Sequence, residues 1–126
     1  MTTILLVDDD PLEANVRKSA LTRRFHHVER AADAAEAFIM VEEPAFAGNL
    51  GLVIVALSRP GIGSPAFVAE LTVRLPSVPV LVLGSSNEEP ALDQAENVRF
   101  LPRSVPTSQM LSISRQLMEQ SIARVA

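Results

Sequence analysis

The chain has 126 residues, of which 48% are hydrophobic and 21% are charged, and this composition is that of an ordinary globular domain. Its net charge of -4 would repel nucleic acid phosphates, which argues against direct DNA binding. The absence of cysteine excludes a disulfide scaffold, a thiolate metal site and a cysteine nucleophile. No apolar run approaches the roughly 20 residues of a membrane span, and we expect a cytoplasmic protein. The length of the chain predicts one domain over residues 1–126.

The first strand and the first helix follow from one aliphatic run and one proline. Residues 4–7 form a continuous apolar segment, typical of a strand that is buried on both faces. Pro11 then begins a helix that extends to about Arg24. Apolar residues recur every four positions in this helix and are expected to form its buried stripe, namely Leu12, Val16 and Ala20.

Positive charge is densest on the same predicted helix, at Arg17, Lys18, Arg23 and Arg24. Runs of charge on a helix ordinarily form a face that is exposed to solvent, and a docking patch for a partner protein is the alternative. Both interpretations place these four side chains on the outside of the molecule, away from its core.

The rest of the chain continues the alternation of strands and helices. Asp33 is a residue type that caps a helix, Pro44 is expected to end that helix, and Ser64 with Pro65 has the cap-then-proline signature of another. We expect strands at residues 28–31, 52–57, 78–83 and 98–101, and helices at residues 34–43, 64–75, 88–95 and from 107 onward. Apolar strands that alternate with helices predict a parallel sheet with helices on both faces, and the functional crevice of such a sheet lies beyond the carboxyl ends of its strands.

Three consecutive aspartates, Asp8, Asp9 and Asp10, follow the first strand at this edge. Carboxylates this close repel one another unless a cation relieves them, so one interpretation is a site of oxygen ligands that would suit Mg²⁺. The other interpretation is a cluster that caps the first helix, whose amino end favours negative charge. Spacing alone leaves both interpretations open.

Five stretches of the sequence resemble, in order and in spacing, the landmarks of the receiver domains of bacterial two-component response regulators. They are residues 4–11, 32–38, 52–61, 79–83 and 100–104, and they extend over essentially the whole chain. The resemblance implies a flavodoxin-like (βα)5 three-layer sandwich with a five-stranded parallel sheet of strand order 2-1-3-4-5. It also implies a switch that operates when a histidine kinase's phosphoryl group moves to an aspartate at the end of the third strand.

The resemblance places two of the family's acidic residues but not its phosphoacceptor. Asp8 and Asp9 match the acidic pair that holds Mg²⁺ in the family, whereas Ala56 stands at the position of the phosphorylated aspartate. This replacement removes the nucleophile and a metal ligand together. A methyl group cannot accept a phosphoryl group, so we expect no aspartyl phosphorylation at this position and absent or weak Mg²⁺ binding.

Two further positions of the family's phosphorylation pocket also differ. Gly84 stands where the family usually has threonine or serine, and Ser85 is close enough to serve as a partial substitute. Arg103 replaces the family's lysine. We hypothesise that Arg103 folds over Asp8 and Asp9 and substitutes for the metal, because a planar guanidinium suits carboxylates better than an ammonium does.

The sequence therefore predicts a receiver-like signalling domain that acts without phosphorylation, through protein contacts, and is not an enzyme. The resemblance implies that a kinase domain, an effector domain or a second copy of the chain would bind the surface formed by the family's fourth helix, fifth strand and fifth helix. Phe100 matches the family's aromatic switch position, but burial as ordinary core is the favoured interpretation without a phosphate to follow.

Two alternatives stay open. In the first, the chain is a receiver that is phosphorylated on another residue. Ser58, two residues after Ala56, is a candidate, but a role as a turn residue is favoured because nothing in the sequence supplies a base. In the second, the chain is a flavodoxin-like protein that binds a small ligand in the emptied crevice.

Overall fold

The structure is a computed structural model, and it describes residues 2–58, 64–84 and 97–125. The helix predicted at residues 88–95 and the candidate residue Ser85 lie outside these ranges. In chain order the elements are β1 Thr3–Asp8, α1 Pro11–Thr22, β2 His27–Ala31, α2 Ala34–Val41, α3 Pro44–Asn49, β3 Leu50–Ala56, α4 Ser64–Arg74, β4 Val80–Gly84, β5 Val98–Pro102 and α5 Thr107–Val125.

The strands form one five-stranded sheet in the order β2-β1-β3-β4-β5. Every neighbouring pair in this sheet is parallel. The topology confirms the flavodoxin-like fold predicted from the sequence. The register also positions the carboxyl ends of the strands, because it pairs Asp8 with Ala56 and Gly84 with Pro102.

Two apolar layers cover the two faces of the sheet. Side chains alternate between the faces along each strand, so that Leu5, Val7, Val53 and Val55 point to one layer and Ile4, Leu6, Leu52 and Ile54 to the other. The first layer also contains side chains of α2 and α4, including Ala37, Phe67 and Leu71. The second contains side chains of α1 and α5, including Leu21, Met110 and Leu117. The result is a sheet between two layers of helices.

The buried face of α1 is not the one that the sequence predicted. Ala14, Arg17 and Leu21 are buried, whereas Leu12 is 78% exposed and Val16 is 60% exposed. The buried residues are three and four positions apart, a spacing that also forms a single helix stripe. The middle member of this stripe is charged, so the apolar pattern could not reveal it. The prediction that Arg17 lies on the solvent face was wrong for the same reason.

A short helix follows α2 that the sequence did not predict. Pro44 was expected only to end a helix; α2 ends at Val41, and Pro44 begins α3. Proline is tolerated in a first helical turn because its missing N–H would have no partner there. The side chain amide of Asn49 donates to the carbonyl oxygen of Ala45 at 2.9 Å, and β3 begins at the next residue, Leu50.

The surface of the described chain carries few large apolar side chains. Those that stand out are Leu12 and Val16 on α1, Ile39 on α2 and Val73 on α4. None of the helices in the described ranges combines the length and the apolar character that crossing a bilayer requires.

Candidate functional site

A crevice lies at the carboxyl edge of the sheet, where the sequence predicted the site. It has a volume of about 450 Å³ and is lined by Asp8, Asp10, Glu13, Arg17, Ala56, Ser58, Arg103 and Ser104. Its residues come from the ends of β1, β3 and β5 and from the first two turns of α1. Asp10 fixes the start of α1, since its side chain accepts the backbone N–H groups of Leu12 and Glu13.

Asp8 is fully buried, and its charge is balanced by Arg17. One nitrogen of the Arg17 guanidinium lies 2.6 Å from Oδ2 of Asp8, and the side chain of Arg17 is itself only 10% exposed. The other carboxylate oxygen, Oδ1, accepts the backbone N–H of Asp10 at 3.1 Å. A buried ion pair of this kind is strongly coupled, because removing one partner leaves an uncompensated charge away from water. Arg17 is thus a fixed counterion of Asp8.

Arg30 also holds the end of β1. Its Nε and Nη2 donate to the backbone carbonyl oxygen of Asp8 at 3.2 and 2.9 Å. Arg17 approaches the same residue from α1, with its second terminal nitrogen 3.6 Å from a carboxylate oxygen of Glu13. Two guanidinium groups, from β2 and from α1, therefore converge on Asp8. Sequence reasoning missed both, because a side chain that reaches across a fold leaves no periodic signal.

Asp9 binds the loop that follows β3. It is 8% exposed, and its carboxylate accepts the backbone N–H of Ser58 at 2.9 and 3.1 Å. The hydroxyl of Ser58 donates to Oδ1 of Asp9 at 2.8 Å. A carboxylate thus lies within hydrogen-bond distance of the Ser58 hydroxyl, a contact that the sequence did not indicate.

Arg103 reaches the crevice but does not pair with Asp8. Its Nη2 donates to the backbone carbonyl oxygen of Leu57 at 2.9 Å, and its backbone N–H donates to the carbonyl oxygen of Gly84 at 3.0 Å. The cation that neutralises Asp8 is Arg17. The hypothesis that Arg103 folds over Asp8 and Asp9 and substitutes for the metal was wrong at Asp8, because Arg17 occupies that carboxylate from the helix side. The carboxylate of Asp9 accepts the N–H and the hydroxyl of Ser58.

The remaining predicted residues have clear positions. Ala56 ends β3, is 2% exposed and belongs to the apolar layer on the side of α1 and α5. Gly84 is buried at the end of β4. Phe100 is half-buried against the opposite layer, the one covered by α2 and α4. In the described ranges, no three His, Cys, Asp or Glu side chains gather into a group that could hold a metal ion.

Comparisons with known proteins rest on structure. No protein-family model matches the sequence, and neither does any curated protein. Solved structures do match over almost the whole chain. A response regulator receiver domain from Clostridium thermocellum superposes with a TM-score of 0.84 at 17% identity, with 98% of each chain covered. The chain has the fold of a receiver domain.

Two further solved structures also superpose on almost the whole chain. The receiver domain of the hybrid histidine kinase CckA is 29% identical, with a TM-score of 0.75 over 92% of this chain and 98% of its own. An adenylate cyclase from Rhodopirellula baltica has a TM-score of 0.85 at 21% identity, over 99% of this chain and 93% of that chain. The residues described above thus occupy the crevice of a receiver fold.

Proposed function

We propose that this chain is a receiver-like domain of a response regulator in two-component phosphorelay signalling, and that it acts without phosphorylation. In this proposal the domain is cytoplasmic, is not an enzyme and works by contact with other proteins. The observation that carries the proposal is the buried methyl group of Ala56, which pairs with Asp8 in the sheet at the point where the resemblance places a phosphorylated aspartate. Phosphoryl transfer needs a nucleophile, and this side chain has none.

The residues of the crevice do not fit a magnesium ion. Mg²⁺ requires oxygen ligands in near-octahedral geometry. The side chain of Ala56 offers no oxygen, Oδ2 of Asp8 is engaged by the guanidinium of Arg17, and the Asp9 carboxylate accepts two donors of Ser58. We therefore propose that the domain works without Mg²⁺, and no step of its function is routed through a metal.

We further propose that a kinase domain, an effector domain or a second copy of the chain binds the surface of β5 and α5, together with the adjoining helix that the resemblance implies. The structure describes part of this surface. Arg99 is exposed on β5, and Phe100 beside it is half-buried against the core. Sedimentation velocity at increasing concentration, on the wild type and on Arg99→Glu, would identify a homodimer that uses this surface.

Ser58 supports a second candidate function, a receiver phosphorylated on serine. Its hydroxyl is 2.8 Å from a carboxylate oxygen of Asp9, so transfer of the hydroxyl proton to Asp9 is geometrically feasible. The charge of an incoming phosphoryl group would need cations, however. Arg17 is committed to Asp8 and Arg103 donates to the carbonyl oxygen of Leu57, so the first candidate is better supported.

Incubation with acetyl phosphate and MgCl2, followed by intact mass spectrometry, tests both candidates. We expect the wild-type protein to gain no adduct of about 80 daltons, the mass of one phosphoryl group. Ser58→Ala should be indistinguishable from the wild type. A receiver domain that retains its aspartate, treated in parallel, is the positive control for the reagent.

The outcomes separate the candidates. An adduct on the wild type that disappears in Ser58→Ala would establish the second candidate in place of the first. An adduct that persists in Ser58→Ala, mapped to any aspartate, would refute phosphorylation independence altogether.

A further inference from the structure

We infer that Arg17 is a built-in counterion that closes the crevice to divalent cations, so that a metal site is latent in this chain and needs two changes to appear. The inference deepens the proposed function and rests on it. It concerns the helix α1, which sequence reasoning assigned no role in the site. The residues that carry it are Asp8, Arg17 and Ala56.

Arg17 already occupies the most buried carboxylate of the crevice. Asp8 is fully buried, and its Oδ2 lies 2.6 Å from Nη1 of Arg17. A divalent cation on the same oxygen would stand beside a guanidinium that is only 10% exposed. Like charges at such distances repel strongly where water is excluded. Arg17 and a bound Mg²⁺ are therefore mutually exclusive at Asp8.

Several contacts hold Arg17 and Asp8 in these positions. It lies on the buried stripe of α1, between Ala14 and Leu21, and its second terminal nitrogen is 3.6 Å from Glu13. Asp8 is also fixed, since its Oδ1 accepts the N–H of Asp10 and its carbonyl oxygen accepts two nitrogens of Arg30. Separating the pair would leave two charges unpaired in the interior.

Ala56 lies beside Asp8, because their Cα atoms pair across β1 and β3. An aspartate at this position would add oxygen ligands next to Asp8, but Arg17 lines the same crevice and would be available to neutralise it. Ala56→Asp alone should consequently extend the ion pair and leave the crevice closed. Only the combination with loss of the guanidinium should release two carboxylates for a metal.

Thermal unfolding in Mg²⁺ tests this inference with four proteins: wild type, Ala56→Asp, Arg17→Gln, and the variant with both changes. Glutamine keeps an amide donor for Asp8 and removes the charge. Each protein is melted in about 10 mM MgCl2 and in NaCl of the same ionic strength. We expect a Mg²⁺-specific rise of about 3 °C or more only for the double variant.

The matched control replaces Arg17→Gln by Arg23→Gln. Arg23 is exposed at the end of the same helix, so Ala56→Asp with Arg23→Gln has the same net charge but keeps the Asp8–Arg17 pair. We expect it to behave like Ala56→Asp alone. A Mg²⁺-specific rise of equal size in Ala56→Asp or in this control would overturn the inference, and so would its absence in a folded double variant.

Backbone amide signals provide a second measurement that does not depend on the double variant being folded. Mn²⁺ is titrated into the wild type and into Ala56→Asp, both of which retain Arg17. We expect no broadening of the amides of residues 8–10 at micromolar Mn²⁺. Site-specific broadening there would show that the guanidinium does not exclude a divalent cation. Failure of the proposed function is recognised separately, because it appears as a phosphoryl adduct on the wild type.

Discussion

The interior of the sheet and the crevice at its carboxyl edge are both buried, but different forces hold them. The interior is aliphatic: Leu6, Ile54 and Leu81 are fully buried among other apolar side chains. The crevice is charged, and Asp8 is just as buried as these residues. Burial in the interior follows from the hydrophobic effect, which needs no particular partner. The buried carboxylate charge of Asp8 is instead balanced by a specific partner, the guanidinium of Arg17, so the two regions should respond differently to substitution.

Arg17→Met tests the charged crevice and should have the largest effect of the substitutions considered. It leaves the buried charge of Asp8 without a counterion, and we expect it to lower the free energy of unfolding by about 4 kcal/mol. Unfolding by urea followed by far-ultraviolet circular dichroism measures the loss, and this probe suits a chain without Trp or Tyr.

Two further variants serve as controls for this prediction. Arg23→Met removes the same charge from an exposed position of the same helix and should cost less than about 0.5 kcal/mol. Asp8→Asn combined with Arg17→Met removes both buried charges and should recover much of the loss. Equal stabilities of Arg17→Met and Arg23→Met would mean that the pair does not hold the crevice.

Leu81→Ala tests the interior. Leu81 is fully buried in β4, and its truncation removes apolar contacts and leaves a cavity, which should cost about 3 kcal/mol. The same urea titration measures the change. Val73→Ala, at a side chain on α4 that is 75% exposed, should cost less than about 0.5 kcal/mol. Asp8→Asn should restore stability to Arg17→Met, whereas we expect no second substitution to restore stability to Leu81→Ala. A substitution that did so would weaken the distinction between the two regions.

Ser58→Ala should have the smallest of these effects. It removes the hydroxyl that donates to Asp9 but keeps the backbone N–H that binds the same carboxylate. Because Ser58 is exposed, water can replace the hydroxyl in part, and we expect a loss of about 1 kcal/mol. Ser104→Ala, at an exposed serine that lines the same crevice, is the control and should be neutral. Equal losses of stability in the two variants would show that the hydrogen bond to Asp9 is not the cause.

The fold was predictable because its signals are local and repeated. The three central strands, β1, β3 and β4, are mainly apolar runs whose side chains are buried on both faces of the sheet, so the apolar runs were enough to predict them. The outer strands β2 and β5 contain charged residues and are less buried. Helix ends were harder. Pro44 can end one helix or begin another with the same chemistry, and only the three-dimensional structure shows that it begins α3.

The site was predictable only in part, because its decisive contact is not local. Asp8, Ala56 and Arg103 meet at one edge as parallel strands require, and sequence reasoning placed them there. Arg17 was assigned to solvent because charge on a helix is ordinarily exposed. Its partner is nine positions away on another element, so no periodicity within α1 could reveal the pair. Apolar spacing selected Leu12 and Val16 instead, and both are exposed.

The Asp8–Arg17 contact limits the order in which substitutions at positions 17 and 56 could be tolerated. A chain that lost Arg17 first would carry an unpaired buried charge, and a chain that acquired aspartate at position 56 first would keep Arg17 on the neighbouring carboxylate. Neither substitution alone is therefore expected to free two carboxylates at this edge of the sheet. The contact therefore couples positions 17 and 56, so that a change at one of them has its full effect only when the other changes too.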